Sequence, residues 1–490
     1  MKLGNPNAAA RRRRRPALTS LFLSAIFLIP WLRAADGAAP NLFIEGYAGD
    51  VSYKPGEDLV VHISTTAPKW SLEIARLGAL REIVWSTNGL PGREYPVPEN
   101  ASANGCNWPE AVRIPLPASW RTGFYQLVFR ASDSGGQYIQ RNRRTAESDG
   151  YFVLRPASPG SGSSMLLQLS CNTYNAYNNW GGSSLYAFHG RAGFQGHRVS
   201  FQRPSSTGLF NNWEAPFVAW AESQGYTLDF CANSDLERHP ELLNSYRLVL
   251  SVGHDEYWST PMRDHLENFI ARGGNVAFFS GNTCCWQVRT EDAGHALTCW
   301  KQNYAQDPLF PTGDHTLLST LWGHHLVKRP ENQLTGVGFL FGGYHLSHGQ
   351  LMDGKGAYTV HRPDHWLFSG TGLKRGDEFG ATNTIVGYEC DGCEFVLQEG
   401  LPVPTGRDGT PKSFTILGTC PARWHPDDAF WYERFEHDRM GASVLGFYTN
   451  TAGATVFTCG STDWAHGLRG RDPIVEQITR NVFDRLGKRP

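Results

Sequence analysis

Residues 246–258 read YRLVLSVGHDEYW, and the fold is decided by how this stretch is read. Leu248-Val249-Leu250-Ser251-Val252 is a short apolar, β-rich run of the kind that fills a strand buried on both faces. The run stops at Gly253, and His254, Asp255, Glu256, Tyr257 and Trp258 follow before any further expected structure. A helix start comes next, with Thr260 as the expected N-cap and Pro261 at the first helical position. Met262, Leu266, Phe269 and Ile270 make an apolar helical stripe, and Gly273-Gly274 ends it. Residues 275–280, NVAFFS, read as a second buried strand. Strand, polar loop, helix and strand make a βαβ unit, which predicts parallel strands. In open parallel sheets ligands collect beyond the carboxyl ends of the strands, where His254 and Glu256 fall.

The same alternation extends outward. Residues 165–170 and 226–230 read as strands, 214–225 and 240–245 as helices, 454–459 as a last strand and 473–486 as a closing helix. This predicts a doubly wound α/β domain over residues 165–490, with a glycine-rich, irregular β-rich insertion around 313–419. Before it, residues 40–156 carry strand-like runs at 58–64, 71–75 and 124–130. Turns at Pro55-Gly56, Pro91-Gly92 and Ser134-Gly135-Gly136 separate them, and no convincing helix intervenes. The expectation is an all-β, immunoglobulin-like sandwich, joined through a Ser/Gly/Pro-rich linker at 157–164.

The 490 residues leave room for two or three domains, and 40% hydrophobic with 19% charged content is ordinary for a globular chain. A formal net charge of −1 gives no reason to expect nucleic acid or an anionic membrane as a partner. Residues 1–39 have the three parts of an export signal: Arg11–Arg15, an apolar run at 18–31, and a small-residue stretch suited to cleavage. No later segment is apolar enough to span, so the mature chain is expected to be periplasmic or secreted. In such a compartment the ten cysteines are first expected to pair. Cys390-Asp-Gly-Cys393 is a lone CxxC, read as a short-loop disulfide or as free buried thiols rather than a zinc knuckle.

No G-x-S-x-G elbow, H-E-x-x-H, Walker lysine loop or dinucleotide glycine fingerprint is present. A second polar stretch, expected as a loop, follows the strand at 165–170: residues 172–186, NTYNAYNNWGGSSLY. Gly181-Gly182 permit a tight reversal there, which lets Tyr177 and Tyr186 converge at the carboxyl edge. Asn282 reaches the same edge after the strand at 275–280.

These segments carry a resemblance. Thr173-Tyr-Asn-Ala-Tyr-Asn178, Ser184-Leu-Tyr186, Gly253-His-Asp-Glu-Tyr-Trp-Ser259, Ser280-Gly-Asn282, Trp300-Lys301 and Gly387-Tyr-Glu389, in that order, resemble the large (beta) subunit of bacterial N,N-dimethylformamidase. The resemblance covers most of residues 165–490. It implies a mononuclear Fe(III) held by Tyr177, Tyr186 and Glu256, with His254, Asn282, Lys301 and Glu389 lining a pocket that hydrolyses an amide C–N bond. Tyr174 is the near neighbour that rivals Tyr177. Two phenolates and a carboxylate are hard oxygen donors that suit Fe(III) better than Zn(II). His254, two residues before Glu256 on an extended backbone, is placed to move a proton, and the Asn282 amide to donate to a developing oxyanion. The family's large subunit is a longer cytoplasmic chain working with a small partner subunit, so dimethylformamide itself is not the expected substrate here. The sequence does not decide between a homo-oligomer and a small partner subunit.

Two rival readings are carried. Sixteen tryptophans and an export signal suggest a non-catalytic carbohydrate-binding protein. The α/β layer also resembles the glutamine-amidotransferase class, but the nucleophile position holds His254-Asp255-Glu256 and no cysteine. Lesser expectations are that His324-His325, His345 and His348 are loop or surface histidines. Asp463 and His466 are expected to border the pocket, with Trp464 as its wall.

Overall fold

In a computed structural model of the chain, the residues described are 41–133, 144–346, 352–425, 430–434 and 439–488. The expected export signal, the Ser134-Gly135-Gly136 turn and His348 lie outside them. The apolar run becomes the strand Leu248–His254, buried along its whole length. It pairs in parallel with Met165–Leu169 on one side and Asn275–Gly281 on the other, as the βαβ pattern requires. Among the described residues the sheet has nine strands. In spatial order they are Asp229–Ala232, Met165–Leu169, Leu248–His254, Asn275–Gly281, Thr455–Thr458, Met440–Thr449, Thr415–Arg423, Tyr358–Val360 and Glu378–Phe379. The first five are parallel and the remainder antiparallel.

Period-two alternation sorts the side chains of these strands into two cores. Leu167, Leu169, Leu250, Val252, Ala277 and Phe279 meet Phe217, Val218 and Trp220 of the helix Glu214–Ser223 and Val475, Ile478 and Val482 of Pro473–Val482. Leu166, Val249, Val276 and Phe278 instead meet Met262, Leu266, Phe269 and Ile270 of the helix Thr260–Ala271. Helices therefore cover both faces, and each large side chain so buried contributes about 1.5–3 kcal/mol.

The N-terminal residues form a three-stranded sheet (Ile44–Ala48, Asp58–Thr65, Glu110–Pro115) and a five-stranded one (Ser52–Tyr53, Arg144–Leu154, Gly123–Asp133, Lys69–Leu77, Arg81–Pro91). The two share one apolar core, in which Leu59, Val61 and Ile63 meet Ile74, Leu127 and Phe152. This module is bolted to the α/β layer by polar and aromatic contacts. Arg76 pairs with Glu222 at 2.5 Å, Arg238 with Asp50 at 3.0 Å, and the rings of Phe124 and Phe210 stack at 3.7 Å.

Several local expectations shift. Ser259, not Thr260, caps the helix: its Oγ accepts from Met262 N at 3.3 Å because Tyr257–Ser259 is itself a short strand paired with Trp286–Glu291. The strand expected at 226–230 lies at Asp229–Ala232, and the closing helix gives way at Phe483–Gly487 to a wider turn. A short helix, Ala101–Asn104, interrupts the sandwich. Part of the segment at 313–419 is not separate, since Tyr358–Val360 and Glu378–Phe379 extend the main sheet. All ten cysteines are buried free thiols, including Cys390 and Cys393; each is one more small apolar group in a packed interior. Among the described residues no helix is long and apolar enough to cross a membrane.

Gly253 is where the central strand turns toward the site. Its φ is +75°, and a Cβ placed there would sit 2.3 Å from Trp213 Cβ. Gly253→Ala is expected to lower unfolding free energy by about 2–5 kcal/mol, combining left-handed strain with overpacking. Urea unfolding measures it.

Candidate metal centre

Four chain segments converge at the carboxyl edge of the parallel strands. Pairing of Gly253 with Ser280 and His254 with Gly281 aligns two strand ends, so Glu256 and Asn282 arrive together. Tyr177 ends a helix, Cys171–Tyr177, where a loop was expected. That helix starts one residue beyond Met165–Leu169, so the strand's direction still delivers Tyr177 to the edge. Gly181 (φ +84°) and Gly182 (φ +113°) reverse the chain, and Leu185 N donates to Ala176 O at 3.0 Å, which brings Tyr186 back beside Tyr177. Glu389 enters from the far side, where Cys390 bridges to Ser461 and Thr462 N donates to Glu389 O.

The reversal is held by a residue the sequence reading passed over. Arg203 is fully buried, and it donates to the carbonyls of Ser200 (2.8 Å), Trp180 (2.5 Å), Ser183 (3.3 Å) and Asn175 (3.3 Å). An arginine in a sequence carries no mark of such a role; only the folded chain shows it. Glu256 N in turn donates to Thr173 Oγ1 at 3.0 Å, locking the two site segments together.

The three expected oxygen donors meet. Tyr186 Oη lies 2.8 Å from Tyr177 Oη and 2.8 and 2.9 Å from the two carboxylate oxygens of Glu256. Tyr257, not singled out beforehand, donates to Tyr186 Oη at 2.7 Å, and Trp286 Nε1 donates to Glu256 Oε1 at 2.6 Å. Tyr174 points elsewhere and bonds Glu214 in the core, so Tyr177 is the tyrosine that belongs to this cluster. The donor set fits a hard cation: cis edges of an octahedral shell with bonds of ~2.0 Å are ~2.8 Å long. Burial, then the charge on Glu256, push both phenols well above the ordinary tyrosine range, so protons close the cluster when no cation does.

The remaining residues set the charge. His254 Nε2 lies 2.6 Å from Glu389 Oε2 and 3.2 Å from Glu256 Oε2. Burial alone would lower the imidazole pKa, but the two carboxylates outweigh it and raise it to about 10. Burial also opposes the charge on Glu256, yet His254 and Lys301 hold that carboxyl below its usual range, while burial raises Glu389. Asn282 adopts a left-handed φ of +48°; its amide bonds Glu389, and its Oδ1 has no hydrogen-bond partner. Lys301 is fully buried, and burial takes its pKa down to about 8. Its Nζ lies 3.2 Å from the ring centre of Tyr186, 4.7 Å from Trp286 and 4.9 Å from Trp431, a cage of aromatic faces.

Other expectations move. Trp464 is no pocket wall; it is buried in the core, where its Nε1 donates to Thr479. Asp463 does border the site's outer rim, accepting from Trp213 Nε1 at 3.1 Å and Tyr388 N at 2.9 Å. His345 and His324 lie in loop segments, as expected, but both are buried, and His345 is bonded to Pro421 O and Gly356 N. Every described tryptophan is buried or half-buried, and Trp286 and Trp431 line the oxygen cluster itself.

What this arrangement defines is a buried, oxygen-rich centre at the carboxyl edge of a mixed sheet, flanked by a charged imidazole and a caged amine. The family described as "N,N-dimethylformamidase beta subunit-like, C-terminal" matches residues 71–479, and the chain belongs to it. The N,N-dimethylformamidase beta subunit of Paracoccus aminophilus is 23% identical over 454 residues, covering 78% of this chain and 55% of that protein. The namesake from Alcaligenes sp. is 22% identical over 449 residues, with the same coverage. The chain thus spans about half the length of these relatives. A solved β-D-glucuronidase from Dictyoglomus thermophilum is similar only at a TM-score of 0.12 and 10% identity, over 49% of this chain and 44% of that one, and carries no argument.

In protein prepared without added metal, His254 is expected to stay charged through neutral pH and to lose its proton only near pH 10. Glu389→Gln, which removes the stronger of its two carboxylate partners, should bring that midpoint down. Imidazole NMR titration checks both, and an ordinary midpoint near ~6.5 in the parent protein would contradict the assignment.

Proposed function

We propose that the chain is an exported hydrolase that cleaves an amide C–N bond at a mononuclear Fe(III) held by Tyr177, Tyr186 and Glu256, on a doubly wound α/β layer preceded by an immunoglobulin-like sandwich. The observation that carries this reading is the contact of Tyr186 Oη with both Tyr177 Oη and the Glu256 carboxylate in a buried position. Family membership and the names of the curated relatives support amide hydrolysis, and the Arg-rich, apolar N-terminal residues support export. When bound, such an ion polarises a carbonyl and makes water acidic.

The residues around it supply the proton chemistry. His254 lies between the carboxylates of Glu256 and Glu389, which keep it charged, and in this reading it passes its proton to the leaving amine. Glu389, raised by burial, receives a proton more readily than an exposed carboxyl and steadies the imidazolium. Asn282 and the caged Lys301 place a dipole and a positive charge beside the oxygen cluster, where negative charge would develop on an amide oxygen. A partner subunit, of the kind that the relatives' "beta subunit" names imply, is the partner this reading admits.

Elemental analysis of purified protein should find about one iron per chain, with the visible band of tyrosinate-to-iron charge transfer, and a panel of formamides and other small amides should be hydrolysed. Tyr177→Phe and Glu256→Gln should lose iron and activity, while Tyr174→Phe should keep both. His254→Ala should retain iron and lose roughly 10²–10⁴-fold in kcat. Full activity from colourless, iron-free protein would overturn the proposal.

A further inference from the structure

A second group of ligating side chains lies outside the oxygen cluster. His324 and His325 sit in the turn after Leu321, and Glu433 comes from a segment more than a hundred residues later that also carries Trp431 and Tyr432. One ligand atom from each of the three lies within 4.8 Å of the others. His324 Nε2 is 3.3 Å and His325 Nδ1 3.4 Å from Glu433 Oε1. Those separations are long for charge-assisted hydrogen bonds, and neither nitrogen makes one; both are buried atoms without a partner. They match the ~3.3 Å edge of a tetrahedron with metal–ligand bonds of ~2.0–2.1 Å. We propose that His324, His325 and Glu433 form a binding site for a borderline divalent transition cation of the zinc class, with an open fourth position.

The chemistry of the donors favours this cation over a hard one. Two imidazoles and one carboxylate are an established zinc ligand set, whereas calcium and magnesium demand more oxygens. His324 is 1% exposed, and burial lowers its pKa to about 4, so its ring is neutral at pH 7 and able to ligate. Three contacts weigh against tight binding. His324 Nδ1 accepts from Leu326 N at 3.2 Å, so the ring proton must move to that nitrogen when a cation takes Nε2. Tyr304 donates to Glu433 Oε1 at 3.1 Å and would share that oxygen, and the positive charge of Arg434 lies near both rings. Occupancy would fasten the segment that presents Trp431 to Lys301 (4.9 Å) and Tyr186 (6.0 Å between ring centres), tying this site to the wall of the oxygen cluster.

The test is equilibrium dialysis of the full chain against Zn(II), with bound metal counted by elemental analysis. It is run in the Glu256→Gln background so that the oxygen cluster does not compete. About one zinc per chain is expected there, and His325→Ala and Glu433→Gln should each lose it; both side chains are partly exposed, so neither change threatens the fold. Cobalt(II) in place of zinc should give the intense visible bands of four-coordination. Failure of the background protein to retain zinc, or zinc retained equally by the two variants, would overturn the proposal and leave the cluster a latch between two segments.

Discussion

A carboxylate only 2% exposed is the constraint around which this site is built. Removing Glu256 from water costs several kcal/mol unless charge and hydrogen bonds compensate, and the neighbours supply both. Tyr186 and Trp286 donate to its oxygens, Thr173 fixes its backbone, and His254 and Lys301 bring positive charge. Besides His254, those partners come from three stretches distant from Glu256 in the chain or beyond the next helix: 173–186, Trp286 and Lys301. The demand of one buried anion therefore coordinates the ends of three parallel strands, the reversal at Gly181-Gly182 and the aromatic cage of Lys301.

The sheet makes that burial achievable. Because its strands carry apolar side chains on both faces, two separate helix layers pack against it, and the cluster of ionisable site residues gathers at the carboxyl edge. A hydroxyl and carboxylate network then fills the space behind the edge. Asp255 accepts from Ser251 at 2.8 Å, Ser251 meets Ser280 at 3.0 Å, and Ser280 meets Thr283 at 2.8 Å. Arg203 works in the same way on the other side, satisfying carbonyls of an irregular segment that would otherwise be buried without donors. The sandwich contributes by bracing: its Arg76 and Asp50 pair with Glu222 and Arg238 of the α/β layer.

How much of this was legible beforehand varies with the range of the interaction. The strand at 248–252 and the helix after it were readable because period-two and 3.6-residue patterns are local, and their parallel pairing follows from connection length alone. Ser259 was missed as the cap because its extended conformation comes from pairing with Trp286–Glu291, a strand the sequence does not advertise. Free thiols stand where disulfides were first expected, since pairing depends on how the fold aims two side chains and spacing in the sequence carries no record of that. Tyr177, Tyr186, Glu256, His254, Asn282, Lys301 and Glu389 were named from ordered motifs, whereas Tyr257, Trp286 and Arg203 were not given roles.

By itself the sequence determined the central parallel strands at 165–169, 248–254 and 275–281, where their carboxyl ends lie and which polar residues follow them, since these depend on neighbours along the chain. Only the tertiary structure decided that Tyr177 rather than Tyr174 faces Glu256, that Trp464 belongs to the core, and that Glu433 stands beside His324 and His325. Those outcomes turn on side-chain direction and on contacts between residues far apart in the chain, and local periodicity carries no record of either.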